Sequence, residues 1–233
     1  TGCEGGEKGK LELLTDIEDA VLGASATVKE FHRYLLRLRE EPDGDFACLC
    51  AALLSVQCLD QVAMKACERL REGVSGGLSV ANVVTMTAEE VGPLINTCNY
   101  YKGKAAKIVS CAKMIKLRHR SKVPASLGAL TALEGVGPKI ANLVLSVGLN
   151  VPGAGLVVDT HVHRVSRRLG WAPTGPGTSP ETTRIALEQW VEADRRVDFT
   201  LALITLGQTV CGAISPKCSV CPVRGSCPSA ANP

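Results

Sequence analysis

No apolar run in this sequence is long enough to cross a membrane. The longest ones, at residues 46–56 and 143–149, are about half the roughly 20 residues that a membrane-spanning helix needs. The first ten residues lack the basic, apolar and cleavage regions of a secretory signal, and the chain begins with Thr1, so we expect upstream sequence to have been removed. With 45% hydrophobic and 21% charged residues in 233, the composition excludes disorder and coiled coil and predicts one large domain or two small ones.

Acidic residues are absent between Val91 and Leu133, although the whole chain has 23 of them against 26 basic residues. Residues 91–180 contain 12 basic and 2 acidic residues, a net charge of +10, whereas the rest of the chain carries −7 and the total is only +3. A basic segment in an otherwise acidic chain indicates a docking face for phosphates. A solvated, lysine-rich helix is the alternative interpretation of the same charges.

The 11 cysteines are unevenly distributed. Seven are scattered, several within apolar stretches, and we expect these to be reduced and mostly buried. The other four form the pattern C-x6-C-x2-C-x5-C in the last 23 residues: Cys211, Cys218, Cys221 and Cys227. The chain length, the missing signal sequence and the odd cysteine count disfavour a secreted disulfide scaffold. The compact spacing with nearby prolines favours a [4Fe-4S] cluster over zinc or disulfides.

The alternating pattern of β-strands is almost absent, and apolar residues recur instead at helical spacing. Some ten helices with short connections predict an all-α architecture. We expect helices at residues 28–40, 46–57, 60–71, 102–120, 126–133, 139–147, 160–169, 180–193 and 198–211, and a short capped helix after Thr87. The Pro/Gly-rich stretch 171–180 is expected to be a surface loop.

Two apolar helices within residues 126–147 are joined by the turn Glu134-Gly135-Val136-Gly137. Glycine allows a positive φ and the close approach of another molecule. Exposed N–H groups at the start of the second helix would suit a DNA phosphate, and Val136 is expected to pack between the helices. A plain helical hairpin punctuated by glycine is the alternative.

Two charged residues near this hairpin are candidates for chemistry. Lys139 lies in the first turn of a helix, where the helix dipole disfavours a positive charge, so it is either a nucleophilic amine or an ordinary surface lysine. Asp159 is the only acid between Gly135 and Pro180, and it could stabilise a developing positive charge or serve as a helix N-cap. The two nearby histidines, His161 and His163, are expected to pack or to contact phosphate rather than to bind metal.

Three segments occur in a characteristic order: LEGVGPKIANLVL, VDTHVHRVSRRLGW and the four-cysteine tail. Together they resemble the endonuclease III family of helix-hairpin-helix DNA glycosylases, most closely its eukaryotic type. The resemblance extends from about Phe46 to Pro228, and it implies a [4Fe-4S] cluster on the four cysteines. It also implies a monomeric intracellular enzyme, nuclear or mitochondrial if the source is eukaryotic, with no membrane partner.

The resemblance implies two helical domains. Residues 39–152 would form the domain with the hairpin, and residues 153–233 the cluster domain, with its iron–sulfur loop at 211–227. Residues 1–38 are expected to form an N-terminal segment and a helix that pack with the cluster domain. DNA would bind in the cleft between the domains.

The activity that the resemblance implies is bifunctional base excision on duplex DNA containing oxidised pyrimidines or abasic sites. Lys139 would displace the flipped-out base, form a Schiff base and cleave the strand by β-elimination, and Asp159 would be the catalytic carboxylate. Gln57 would fill the gap left by that base, and Tyr100 would be the wedge beside it. The remaining DNA contacts would come from Gly135, Val136, Gly137 and His161.

The sequence departs from the family pattern at three places. Glu134 replaces a proline, Cys58-Leu59 replaces a small polar pair, and Asn99 replaces a glycine. These changes leave substrate range and affinity open. An adenine-specific mismatch glycosylase and a DNA-binding protein without activity are the rival interpretations; Lys139 disfavours the first, and the joint presence of Lys139 and Asp159 disfavours the second.

Overall fold

The computed structural model describes residues 4–21 and 26–230, and within these ranges it contains helices and no strands. The prediction of an all-α fold is therefore confirmed. The α-helices of the described ranges are α1 (Glu4–Val21), α2 (Ala26–Arg39), α3 (Gly44–Leu54), α4 (Asp60–Gly73), α5 (Val80–Val83), α6 (Ala88–Val91), α7 (Tyr101–His119), α8 (Leu127–Thr131), α9 (Pro138–Leu143), α10 (Thr160–Arg168), α11 (Pro180–Glu188) and α12 (Arg196–Thr209). None of them is long and apolar enough to span a bilayer.

Short irregular helices complete this pattern. One-turn 3-10 helices occur at Gly92–Ile95, Ala193–Arg195, Cys218–Val220 and Arg224–Ser226, and α9 continues directly as a π-helix, Val144–Gly148. The helix expected at 180–193 ends earlier, at Glu188, where the N–H groups of Trp190 and Val191 still bond to the Leu187 carbonyl and close the last turn.

Several helix starts follow from short-range hydrogen bonds. The Thr87 hydroxyl accepts from the Glu90 N–H at 3.3 Å, and the Glu90 carboxylate accepts from the Thr87 N–H at 2.7 Å, which is the expected capping box. Ser126 caps α8, and Ser179 caps α11, in which Pro180 occupies the first turn. These helices therefore begin where their own sequences direct them.

The chain divides into two compact units. The central unit is Glu30–Ala154; the other, the cysteine unit, combines the chain up to Lys29 with the chain from Gly155 onward. The apolar stripe of α2 lies in the core of the central unit through four buried residues: Phe31, Tyr34, Leu35 and Leu38. Of residues 1–38, which were expected to pack with the cluster domain, α1 does so, because Leu14, Ile17 and Val21 lie in the apolar core of the cysteine unit. The stripe of α2 is instead covered by the central core.

Each unit has its own apolar core. In the central unit, Phe46, Leu70 and Ile108 are fully buried, and burying side chains of this size stabilises a fold by roughly 1.5–3 kcal/mol each. In the cysteine unit, the Phe199 ring packs edge-on against Trp190, with centroids 5.6 Å apart, and Trp171 is also buried beside it. The expectation of a surface loop is therefore wrong at Trp171, although residues 173–177 are exposed.

The scattered cysteines within the described ranges are free thiols, as expected, and Cys58 alone among them is half-buried rather than buried. Burial is the main cause that raises the pKa of the Cys48, Cys67 and Cys111 thiols to about 12. Cys3 lies outside the described residues.

Candidate nucleic-acid interface

The helical hairpin of the central unit consists of α8, the turn at residues 132–137 and α9. Gly135 takes a φ of 79°, a left-handed conformation that favours glycine. Val136 is 4% exposed, and its N–H donates to the Leu133 carbonyl at 3.1 Å. Val136 therefore anchors the turn in the apolar core, as expected, while Gly135 and Gly137 are exposed.

The space beside Gly135 is occupied by Lys107. A Cβ atom on Gly135 would lie 2.5 Å from Cδ of Lys107, so the aliphatic part of the Lys107 side chain occupies the space where another residue would carry its side chain. Lys107 lies on α7 and is half-buried. The contact brings a basic residue of α7 to the glycine turn.

Lys139 follows Pro138 in the first turn of α9, and its side chain is exposed. The next residues, Ile140 and Ala141, are buried and anchor the helix in the core. The Ala141 N–H donates to the Gly137 carbonyl at 3.0 Å, which joins the helix directly to the glycine turn. Lys139 is therefore held at a fixed place beside the hairpin with its amine accessible to solvent.

Gln57, Tyr100 and Gly135 line one cavity of about 130 Å³ in the central unit. The cavity is completed by Leu53, Val56, Gly103, Lys104 and Lys107. Three residues that the sequence suggested for DNA contact, from three separate segments, therefore meet at one place. Sequence reasoning had no distance information that could have joined them.

The backbone of this cavity is unusual. Gln57 has a φ of 49° and Tyr100 a φ of 57°, both in the left-handed region, which costs a non-glycine residue roughly 1–2 kcal/mol. The Asn99 side-chain amide donates to the Gln57 carbonyl at 2.8 Å and links the two loops. Tyr100 is 74% exposed, so its ring projects outward as a wedge would. Strained conformations of this kind are common at ligand sites.

Lys104 is a residue of the cavity that sequence reasoning did not single out. Its side chain is 6% exposed, and Nζ donates to the Leu54 carbonyl at the end of α3, at 2.7 Å. Burial lowers the pKa of Lys104, the charge of Lys107 acts in the same direction, and nearby thiols oppose both. The sequence feature that could have identified it is its position in the helix. Lys104 lies four residues before Ile108 and therefore on the same, buried face of α7.

In the cysteine unit, Asp159 is the N-cap of α10. Its Oδ1 accepts hydrogen bonds from the N–H groups of His161 and Val162, both at 2.8 Å. The N-cap interpretation of Asp159 is therefore confirmed. The two bonds hold the half-buried carboxylate in one orientation.

The two histidines of α10 are held by packing. Nδ1 of His161 lies 3.1 Å from a guanidinium nitrogen of Arg164, and a Cβ atom on Gly207 would lie 2.9 Å from Cβ of His161. Nδ1 of His163 lies 2.7 Å from the hydroxyl of buried Thr183. Burial, with a smaller effect of Arg167, lowers the pKa of His163.

Two arginines of α10 bind the start of the cysteine segment, and sequence reasoning gave them no role. Arg164 donates to the carbonyls of Gly207 and Cys211, at 2.8 and 3.1 Å. Arg168 donates to the carbonyls of Gly212 and Ala213, at 2.7 and 2.8 Å, and to the Cys211 sulfur, at 3.2 Å. Their four-residue spacing places them on one face of the helix and is the signal that could have found them.

All four tail cysteines are free and half-buried. Burial is the main cause that raises the pKa of Cys221; the backbone at Val223 opposes it, and the proximity of the other three thiols adds to it. Three of the cysteines pack against the apolar core of their unit: Cys211, Cys221 and Cys227. Within residues 4–21 and 26–230, no three Cys, His, Asp or Glu side chains are arranged to hold a single metal ion. Four free, neighbouring thiols with a guanidinium on one sulfur nevertheless fit the donor set of an iron–sulfur cluster.

Comparison with known proteins assigns the fold. Residues 50–193 match the family described as HhH-GPD superfamily base excision DNA repair protein. Endonuclease III homolog 1, chloroplastic, of Arabidopsis thaliana is 39% identical over 79% of this chain, which spans 49% of that protein. Endonuclease III of Thermotoga maritima is 33% identical over 85% of this chain and 89% of its own length.

A solved structure gives the same result. A trapped endonuclease III–DNA covalent intermediate has 27% sequence identity and superposes with a TM-score of 0.79 over 96% of each chain. The resemblance inferred from the sequence motifs is thereby confirmed. The chain belongs to the HhH-GPD superfamily of base excision DNA repair proteins.

Proposed function

We propose that this chain is a bifunctional DNA glycosylase and abasic-site lyase that removes oxidised pyrimidines from duplex DNA. The observation that carries the proposal is the convergence of Gln57, Tyr100 and Gly135 on one cavity, with Lys139 on the helix that follows the glycine turn. Membership of a base excision repair family supports it. The chain spans about half the length of the first curated relatives it matches, so the activity of the whole protein is part of the proposal.

DNA would be held mainly through its backbone and distorted at one nucleotide. The exposed turn at Gly135 and Gly137 would receive a phosphate, and the lysines of α7 would supply further charge. Extruding a nucleotide costs a few kcal/mol of lost stacking and pairing. Gln57 would fill the gap, and the exposed Tyr100 ring would stack on the neighbouring bases and offset part of that cost.

The chemical step would use the Lys139 amine as nucleophile. Neutral Nζ attacks C1′ of the flipped nucleotide, the bond from C1′ to the base breaks, and the base leaves with a proton from the site. Opening of the sugar ring gives a Schiff base between Nζ and C1′. Removal of a C2′ proton then expels the 3′ phosphate by β-elimination and nicks the strand.

Asp159 would act through its charge and as a proton acceptor. Its carboxylate is oriented by two N–H groups, and a fixed anion stabilises the positive charge that develops on the sugar as the base leaves. The same carboxylate would serve as a proton acceptor during the reaction. His161 would contact the DNA backbone from the same helix.

The four tail cysteines would hold a [4Fe-4S] cluster. When bound, that cluster supplies iron–thiolate bonds that fasten the C-terminal segment. Arg164 and Arg168 tie the beginning of the segment to α10, and the Arg168 guanidinium donates a hydrogen bond to the Cys211 sulfur. The protein would act as a monomer on DNA in an intracellular compartment, a nucleus or mitochondrion in a eukaryotic cell.

Borohydride trapping tests the proposal. With a duplex containing thymine glycol, reduction should convert the Schiff base into a stable protein–DNA adduct, and Lys139→Gln should give none. Lys65→Gln, which changes an exposed lysine of α4, serves as the matched control and should trap normally. A persistent adduct in the Lys139 variant would refute the nucleophile. Absence of base release by the unaltered protein on a panel of oxidised pyrimidines would refute the activity and favour a non-catalytic DNA-binding protein.

A further inference from the structure

Two cysteines flank the residues proposed to fill the gap in DNA. Cys58 follows Gln57 directly, and Cys98 precedes Asn99 and Tyr100. Cys58 and Cys98 are close enough to interact electrostatically, and both are free thiols. The Asn99 side-chain amide donates a hydrogen bond to the Gln57 carbonyl at 2.8 Å, and this bond joins the same two loops at the neighbouring residues. The pair is therefore held in register by a second contact.

The two thiols differ in their access to solvent. Cys98 is 3% exposed, whereas Cys58 is half-buried at the edge of the central core. Burial and the contact with Cys58 raise the pKa of Cys98 to about 11, and the charges of Lys104 and Arg69 act in the opposite direction. A dissolved oxidant therefore reaches Cys58 first, with Cys98 beside it. The other thiols of this core are buried.

We propose that Cys58 and Cys98 are an oxidative modification site, a reversible disulfide that joins the Gln57 loop to the Tyr100 loop, with a hydroperoxide as the oxidant. The Cys58 thiolate attacks one peroxide oxygen, the O–O bond breaks, and with hydrogen peroxide one water leaves and a sulfenic acid remains. The Cys98 sulfur then attacks the Cys58 sulfur, and the hydroxyl departs as a second water with the Cys98 proton. Two thiols thus lose two electrons, and one peroxide becomes two waters.

The disulfide would change the geometry of the cavity. A sulfur–sulfur bond of about 2.05 Å is shorter than any contact between two unbonded thiols, so bond formation draws Cys58 toward the buried Cys98. Gln57 precedes Cys58 and would move inward with it. This consequence rests on the proposed function, and a displacement on the order of 1 Å is worth roughly 10- to 100-fold in the rate of base release.

Peptide mapping of the holoprotein tests the modification. The reduced protein is treated with one equivalent of hydrogen peroxide, remaining thiols are alkylated, and the digest is analysed by mass spectrometry. We expect a peptide pair joined through Cys58 and Cys98 that dithiothreitol separates. Cys58→Ser should abolish the pair. Cys67→Ala is the matched control, since Cys67 also lies near Cys98, and it should leave the pair intact.

Two results would overturn the assignment: both thiols remaining alkylatable after oxidation, or Cys98 pairing with Cys67. The consequence for DNA is measured separately, as single-turnover base release before oxidation, after oxidation and after reduction, while visible absorbance monitors the tail cysteines' cluster. An unchanged rate in the cross-linked protein would overturn the proposed movement of Gln57. A reduced protein that releases no base would contradict the proposed function alone, because the peptide mapping does not depend on it.

Discussion

The Lys104 ammonium donates a 2.7 Å hydrogen bond to the carbonyl of Leu54 from a position that is 6% exposed. The bond satisfies a carbonyl at the end of α3, just before the loop that carries Gln57. A buried donor of this kind fixes local geometry, because a carbonyl left without its partner costs about 1–3 kcal/mol.

Replacing Lys104 by Met should therefore destabilise the protein by about 1–3 kcal/mol. Removal of the buried charge offsets part of the loss, so the lower end of this range is expected. Urea unfolding measures the change. Lys102→Met, on the exposed side of α7, is the control and should stay within about 0.5 kcal/mol. Equal stability of the two variants would contradict the importance of the bond to Leu54.

Gly135→Ala should lower both stability and DNA affinity. A non-glycine residue at a φ of 79° is strained, and its Cβ would lie 2.5 Å from the Lys107 side chain. The left-handed conformation alone costs about 1–2 kcal/mol. Gly128→Ala on α8 is the control, since no atom lies within 4 Å of its added Cβ. In a helix this change is expected to stabilise by roughly 0.5–1 kcal/mol. Thermal unfolding measures the stability of the two variants, and a titration measures their affinity for DNA. Similar effects of both substitutions would contradict a special requirement for glycine at position 135.

Arg168→Met should loosen the cysteine segment. The substitution removes donors to the carbonyls of Gly212 and Ala213 and to the Cys211 sulfur. Loss of such a supporting contact typically lowers metal affinity roughly 10- to 100-fold. Iron content and the rate at which a chelator bleaches the visible absorbance report the change. Lys217→Met is the control, since it removes a charge from the same segment and should behave like the unaltered protein. Identical bleaching rates of the two variants would show that Arg168 does not support the iron–sulfur cluster.

DNA binding should weaken steeply with salt, and Lys107→Met should reduce that dependence. Each phosphate contact contributes about one unit to the slope of log affinity against log salt concentration. Lys107 packs on the glycine turn, so its loss should lower the slope by roughly one. Lys65→Met, an exposed lysine of α4, is expected to leave the slope unchanged. Salt-insensitive binding of the unaltered protein would contradict a phosphate-binding surface.

His163 should make the fold less stable as the pH falls. Its pKa is lowered in the folded state by burial and by Arg167, whereas the unfolded chain has a pKa of about 6.5. Above that value both states are neutral, and stability is at its full value. Below it the unfolded state takes up a proton first, so stability is lost as the pH falls through the folded-state pKa.

His163→Gln should consequently flatten the decline in stability between pH 7.5 and about pH 5. Urea unfolding at a series of pH values measures it. His119→Gln, a partly exposed position at the end of α7, is the control and should retain the decline of the unaltered protein. Parallel curves for both variants would exclude His163 as the source.

The sequence by itself determined the local structure and the chemical inventory. Helix starts at Thr87, Ser126 and Asp159 were readable because capping bonds join residues two or three positions apart. Burial of Val136 followed from one apolar residue between two glycines. The cysteine spacing and the basic segment were equally visible, since both are properties of the linear order.

Only the tertiary structure decided which of these parts meet. Gln57, Tyr100 and Gly135 share a cavity because α3, α7 and the hairpin pack in one core, and no pattern within one segment contains that distance. Packing also buried Lys104, which the sequence showed only as one of the 12 basic residues of segment 91–180. The apolar stripe of α2 could be recognised in the sequence, but the core that covers it could not. Capping and periodicity act over a few residues, whereas packing joins residues far apart in the chain, and it is packing that assembles this site.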